Sequence, residues 1–401
     1  MIDLSFISIP LVCLLVIYAV MWPFYTLVAA LFPTPKVKRG DSNPLISIVV
    51  PANNEEKVIG RSIRNFARQT YKKLELIIVC HNCTDDTYPI AKKVAESVSG
   101  IKVKVIDCKT RESGKGLALN RGLKEATGEL LSYFDADGTT NDTFFERVLK
   151  YIDSGYDCVQ SKIVAKNPND NLWTKIQGYE MLVFAMVFCE GRYKLGLNSG
   201  IGGTGVVVKT EIMRTIGGFG NSLVDDLDIC MELTKRGYRI AFARDCVVYD
   251  EKPLTWSGAF KQRTRWFRGH FDVLFSRFQE TIKRPHDLLY LLSPTVVIAL
   301  WTSLALGVLY IIQIHIFKTV FITYYGITLK TLAILTTPYV IQFFIGAAKE
   351  EGKLRALKNT VLYVFPLYLW TFIWYLVMFK AISVKSWETT KTLHIGDGGG
   401  R

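Results

Sequence analysis

The sequence predicts an α/β fold, a mostly parallel sheet with helices on both faces, set between membrane-spanning and interfacial helices. Three observations predict it. Short apolar, β-branched runs alternate with helix-patterned segments from residue 45 onward. An uncharged apolar run covers residues 5–32, and three more apolar runs fill the last third of the 401 residues.

The first run, "LISIVV" (45–50), reads as a strand ended by Pro51, after which Ile59, Ile63, Phe66 and Ala67 fall on one helical face. "LELIIV" (74–79) is the second strand, followed by a helix starting near Thr87. "VKVI" (103–106) is the third, followed by the helix "GLALNRGLKEAT", and "LLSYF" (130–134) is the fourth. Strand–helix alternation with short connections builds a parallel sheet covered on both faces, and ligands bind beyond the carboxyl ends of its strands.

Residues 5–32 are long enough to cross a hydrocarbon core of roughly 30 Å. They lack the basic start, short apolar core and small-residue cleavage site of a signal peptide, so a retained helix is expected. Further spans are expected at Leu288–Phe317, Leu329–Ala348 and Asn359–Phe379, with Lys330 near a membrane surface. The expected division is an N-terminal membrane helix (1–35), a globular domain (36–255), amphipathic interfacial helices (256–287), and C-terminal membrane helices and tail (288–401).

The formal charge is +13, and its lysines and arginines cluster beside the spans, as in "KVKR" (36–39) and "KEEGKLRALK" (349–358). By the positive-inside tendency these segments and the globular domain face the cytoplasm. The clustering points to anionic membrane lipid and a phosphate-bearing substrate rather than to nucleic acid. Eight cysteines are scattered without a paired framework, which suits a reducing compartment. Cys80, His81 and Cys83 sit together like zinc ligands, but a structural zinc site needs four ligands, and only Cys108 lies nearby in sequence.

The residues after each strand carry the chemistry. "PANNEE" follows the first, "CHNCTDDT" the second and "DADG" the fourth. Asp135 and Asp137 at a strand exit suit a hard divalent cation that bridges a diphosphate, although a lone D-x-D is as often a solvated turn. Asp225, Asp226 and Asp228 open an apolar-faced helix, where the helix dipole favours acids. Three acids exceed what one cap needs, and one of them suits a general base. "QRTRWFRGH" (262–270) lies in a basic amphipathic segment whose Phe260, Phe267, Phe271, Leu274, Phe278 and Ile282 form a helical stripe for the interface.

In this order, these pieces resemble a membrane-bound family 2 glycosyltransferase with a GT-A fold, in the group of cellulose, chitin, hyaluronan and poly-N-acetylglucosamine synthases. The resemblance covers roughly residues 45–270 and rests on Pro51–Glu55, the 80–86 loop, Asp135–Asp137, Val224–Asp226 and Gln262–Trp266. It implies that Ala52, Glu55, His81 and Asp135 contact a uridine diphosphate and that Lys115, in a K-x-x-x-L-N element, lies near the nucleotide. Asp137 would ligate Mg²⁺ or Mn²⁺. Asp226 would be the base, and Arg263 and Arg265 would steady the leaving diphosphate. Gly203 and Thr204, within "GGTG" (202–205), together with Asp225, Gln262 and Trp266, would receive the acceptor. A single displacement at the anomeric carbon inverts it, so an α-linked UDP-sugar would yield a β-glycoside.

The implied activity is elongation of a β-linked polysaccharide, with passage of the chain through the spans. A single addition to a membrane lipid, as in ceramide glucosyltransferases, shares the same motif, and a non-catalytic scaffold is the third possibility. Two departures stand out: His81 replaces the family's usual acid, and Val-Asp-Asp replaces Thr-Glu-Asp. Trp387, Lys391, Thr392 and His394 resemble a stretched C-terminal element of some members.

Overall fold

The structure is a computed structural model describing residues 2–3, 5–220, 222–313, 315, 322–323 and 329–381, the side chains of 2–8, 322–323 and 329–333 excepted. The Trp387, Lys391, Thr392 and His394 element lies outside the described residues, and the Lys330 side chain outside the described side chains.

Eight strands form the central sheet: β1 (Ile46–Ala52), β2 (Leu74–His81), β3 (Lys102–Cys108), β4 (Leu130–Tyr133), β5 (Thr139–Thr140), β6 (Cys158–Ala165), β7 (Val206–Lys209) and β8 (Ile240–Asp250). Their spatial order is β3-β2-β1-β4-β7-β6-β8-β5. The pairs β1–β2, β1–β4, β2–β3 and β6–β8 are parallel, while β7 runs antiparallel to both its neighbours and β5 antiparallel to β8. The carboxyl ends of all strands except β5 and β7 therefore open on one edge.

Alternation along β1 and β2 explains the two layers. Ile46, Ile48, Val50, Leu76 and Ile78 face a cluster that buries Ile59, Ile63 and Phe66 of one helix (Ile59–Ala67) and Phe144 and Phe145 of another (Phe144–Asp153). Val49, Ile77 and Val79 face the opposite cluster, with Ala118, Leu119 and Leu123 of the helix Lys115–Glu125 and Leu227 and Met231 of the helix Asp225–Lys235. Each fully buried branched side chain contributes about 1.5–3 kcal/mol, so a one-residue slip in register would forfeit both layers. Gly122 lets its helix lie against β1, because a Cβ there would fall 2.3 Å from Val49 Cγ1.

Among the described residues, three helices are long and apolar enough to cross a membrane: Ile9–Leu31, Thr295–Ile312 and Lys353–Ala381. Their outer faces expose Val20, Val308, Val361 and Phe365, as a lipid-facing surface requires. The expected third span forms a helix, Leu329–Glu351. Its end is held to the globular domain by Glu190, a buried carboxylate paired with Lys349 at 2.6 Å and Arg244 at 2.7 Å. Lys194 Nζ donates to Ala29 O at 2.7 Å and Phe32 O at 2.8 Å, capping the first span. The amphipathic segment is one helix, Trp256–Thr281, that leads into the short helix Pro285–Leu291.

Candidate active site

The sheet's open edge is shaped first by short polar side chains. Asn53 Nδ2 donates to His81 O at 2.7 Å and Asn82 O at 3.2 Å, and Thr84 N donates to Asn54 Oδ1 at 2.8 Å. Asn54 (φ 60°) and Asn82 (φ 52°) occupy the left-handed region that asparagine tolerates, so the loops after β1 and β2 turn sharply and zip together. Glu55 N donates to Thr87 Oγ1 at 2.7 Å, which ties the first loop to the next helix. His81 is buried, with Nε2 2.8 Å from Thr110 Oγ1, and burial lowers its imidazole below the usual value. It therefore stays neutral at pH 7, a hydrogen-bonding ring where the family has a carboxylate.

The next layer is ionic. Lys115 opens its helix, and its ammonium lies 2.6 Å from Asp135 Oδ1 and donates to Gly203 O at 2.7 Å. Through these two contacts Lys115 joins the β4 exit to the "GGTG" loop. Thr204 Oγ1 accepts from Asp135 N at 3.1 Å, and the buried Gln160 holds the loop from behind, with Gly202 N donating to its Oε1 at 2.9 Å. Gly203 has φ 79°, and a Cβ there would fall 3.0 Å from Asp226 Oδ2. Only glycine meets both conditions cheaply.

Asp225 and Asp226 are the first two residues of the helix Asp225–Lys235, as the sequence predicts. Asp226 Oδ1 accepts from Leu227 N at 2.9 Å. Burial and the adjacent Asp225 push the Asp226 carboxyl up to about 7, while Lys115 and Arg265 pull against that rise. Burial likewise raises Asp225, again opposed by Lys115. A base with a pKa near working pH is well matched to removing a hydroxyl proton. The third acid is accounted for structurally, since Arg277 Nε donates to Asp228 Oδ1 at 2.6 Å and Arg277 Nη1 to Glu232 Oε2 at 2.6 Å.

The Gln262–Trp266 segment divides by helical face. Gln262, Arg265 and Trp266 line the same cavity as the two acids; desolvation lowers the Arg265 guanidinium, against the fields of Asp135, Asp225 and Asp226, which favour its charged form. Arg263 does not join them, which corrects the expectation that it steadies a diphosphate. It is fully buried on the other face, donating to Gln177 Oε1 at 3.0 Å and to Gln262 and Glu180, and it lies 4.7 Å from the Trp266 ring and 5.3 Å from that of Trp370. Adjacent residues on a helix point about 100° apart, so two arginines two positions apart cannot share a face. Arg263 instead fastens the amphipathic helix to the helix Leu172–Phe184 and the last span.

Sequence reasoning missed Glu180 and Trp374. Glu180 lines the cavity, accepts from Trp374 Nε1 at 2.7 Å and pairs with Arg263. A single acid within "IQGYEML", an apolar helical stretch, was the available signal. His270 also reaches the cavity, and burial pushes its imidazole down to about 4.

These groups surround one cavity of about 820 Å³. Its polar end is lined by Ala52, Glu55, His81, Lys115, Asp135 and Asp137; its middle by Gly203, Thr204, Asp225, Asp226 and Trp266; its far end by Leu15, Val296, Leu300, Tyr339 and Leu367. Every predicted site residue except Arg263 is on its wall. Among the described residues no three His, Cys, Asp or Glu side chains are grouped to hold a metal ion, so no zinc site forms at Cys80, His81 and Cys83. Asp135 and Asp137 offer hard oxygen donors that fit Mg²⁺ or Mn²⁺ once diphosphate oxygens complete the shell.

A sheet of this topology, with its acids and lysine on the carboxyl edge, defines a GT-A glycosyltransferase fold. The model for Glycosyltransferase like family 2 matches residues 43–269, more than half of the chain, and the protein belongs to that family. A beta-monoglucosyldiacylglycerol synthase of Synechocystis is 29% identical over 246 residues, 59% of this chain and 51% of its own length. A poly-beta-1,6-N-acetyl-D-glucosamine synthase of Staphylococcus aureus is 26% identical over 269 residues, 65% of this chain and 63% of its own length. The chain thus spans between half and two thirds of these curated relatives. In fold it is similar to the mannosyltransferase PcManGT from Pyrobaculum calidifontis, solved with GDP-Man and Mn²⁺, at TM-score 0.60 and 20% identity over 93% of this chain and 96% of that one.

Proposed function

We propose that this protein is a multi-pass membrane glycosyltransferase, its catalytic domain on the cytoplasmic side, that moves a sugar from a UDP-sugar to a hydroxyl of a membrane lipid, inverting the anomeric centre. The observation that carries the proposal is the position of Asp226, a half-buried carboxyl that desolvation and Asp225 push up to about 7, on the wall of a cavity that also carries the polar strand-end loops and apolar residues of the membrane helices.

At the polar end, Ala52, Glu55, His81 and Asp135 bind the nucleoside, while Lys115 and Arg265 hold the diphosphate. Asp137 is the protein's ligand to Mg²⁺ or Mn²⁺, which when bound would neutralise charge on the departing diphosphate. Gly203 and Thr204 shape the place where donor sugar and acceptor meet, with Asp225, Gln262 and Trp266 on the acceptor side. Asp226 takes the acceptor's proton as its oxygen attacks the anomeric carbon, and the diphosphate leaves on the opposite face. A base is needed for an alcohol acceptor and not for a phosphate, which already carries its negative charge.

Leu15, Val296, Val297, Leu300, Val364 and Leu367 bring aliphatic side chains to the far end of the cavity, beside aromatic Trp22, Tyr339, Tyr368 and Trp370, and this apolar surface suits an acyl or isoprenoid chain. Elongation of a β-linked polysaccharide is the second reading. It is favoured by Trp266 and Trp374, whose rings lie 6.2 Å apart at 32° and offer a sugar-stacking face.

The test is nucleotide release by the protein reconstituted in lipid, with Mg²⁺ or Mn²⁺, across several UDP-sugars and GDP-mannose, followed by sizing of the product. One lipid-linked sugar is expected. A ladder or polymer would favour elongation, and silence with every donor and lipid would overturn both readings.

A further inference from the structure

We propose that Cys80 and Cys83 form a reversible disulfide within the loop that follows β2, and that this bond reshapes the nucleotide end of the cavity. The effect on nucleotide rests on the reading of that end given above; the disulfide itself does not.

The pair has the C-x-x-C spacing, "CHNC", and both thiols are free. Cys80 is the penultimate residue of β2 and is buried in the core, while Cys83 is half-buried in the loop that follows. Asn82 between them has φ 52°, a sharp reversal of the chain between the two cysteines. The Cys83 thiol donates to Ala52 O at 3.4 Å, and Ala52 is the β1 residue that pairs in register with Cys80, so the second thiol lies beside the strand position of the first. The neighbouring Cys80 side chain draws the Cys83 thiol below its usual value, which favours attack by its thiolate form. Elsewhere in the core, burial raises the Cys158, Cys189 and Cys230 thiols and leaves them inert.

The step balances with a hydroperoxide as oxidant. The Cys83 thiolate attacks one peroxide oxygen of hydrogen peroxide, giving a sulfenic acid and, with one proton, water. The Cys80 sulfur then displaces the sulfenic hydroxyl, which leaves as a second water after taking the Cys80 proton. An S–S bond replaces two S–H bonds, and a dithiol reductant reverses the change.

The consequence follows from the neighbours. Forming the bond removes the Cys83 donor to Ala52 O, and Ala52 and His81 both line the cavity. Asn53 and Asn54 couple the same loop to β1 through His81 O, Asn82 O and Thr84 N. A shift of sulfur toward sulfur therefore moves the walls of the nucleotide end together.

The full chain in detergent is treated with hydrogen peroxide, its thiols are mapped by alkylation and mass spectrometry, and UDP binding with Mn²⁺ is measured on the same sample. A Cys80–Cys83-linked peptide should appear, UDP affinity should fall by about tenfold, and dithiothreitol should restore both. Cys83→Ser, with Cys83→Ala as a second form, should bind UDP equally with and without peroxide. Full alkylation of both cysteines after peroxide, or a disulfide with unaltered UDP affinity, would overturn the proposal. Failure of the untreated protein to bind UDP would instead overturn the nucleotide reading, and the linked peptide would still decide the thiol pair.

Discussion

At the nucleotide end of the cavity, the walls are loops at strand ends, held by Asn53, Asn54 and Thr87 through hydrogen bonds to backbone. At the membrane end, they are side chains carried on helices and fixed by buried ion pairs, such as Arg263 with Glu180 and Arg192 with Asp287 at 2.6 Å. The first construction places many weak donors with little reorganisation. The second joins the globular domain to long apolar helices that lie outside its sheet. Substitutions at the first end should change nucleotide binding and leave the fold standing; substitutions at the second should loosen the join.

The largest expected effect at the nucleotide end is that of Asp137→Ala. Metal-dependent UDP binding, measured by calorimetry with and without Mn²⁺, should weaken by roughly 10²–10³-fold, in line with several kcal/mol of lost charge compensation. At the other end, Arg263→Met should lower unfolding stability by about 3–5 kcal/mol, since it removes the charge partner of the mostly buried Glu180 carboxylate and leaves it only the Trp374 hydrogen bond, yet leave UDP affinity near that of the parent. A large loss of UDP affinity with normal thermal stability would restore Arg263 to the diphosphate and break the contrast.

Gly203→Ala probes the middle, where the two constructions meet. The positive φ and the approach to Asp226 Oδ2 should cost about 1–3 kcal/mol, read as a fall in turnover of roughly 5- to 100-fold with little change in UDP affinity. The smallest effect is expected for His81→Asp. Loss of the Thr110 hydrogen bond should weaken UDP binding by no more than about tenfold, and an unchanged affinity would show that position to be tolerant.

The nucleotide end was legible in the sequence because its signals are local. An apolar run, a turn and then an acid or asparagine mark β1, β2 and β4 and the residues after them, and the helix start at Asp225 was equally plain. The other half hid its signals in long-range contacts. Buried Gln160 and Ser161 interrupt the apolar pattern of β6 because they hold the Gly202–Gly205 loop, and so that strand does not announce itself. Arg263 and Arg265 look alike in sequence, and only the helix orientation separates the structural arginine from the one on the cavity wall. Glu180 acquires its role from Trp374, 194 positions away.

The central claim is that Asp226 is the base at the junction of the two ends, and Asp226→Asn tests it most directly. UDP affinity and sugar transfer are measured on one reconstituted sample, with the parent's transfer followed from about pH 5.5 to 8.5. A base must be deprotonated, so a group titrating at about 7 should make the parent's rate rise with pH and level off above that value. The variant should bind UDP within about twofold of the parent and lose about 10²–10⁴-fold in turnover. Near-normal turnover in the variant, or a parent rate indifferent to pH across that range, would contradict the assignment.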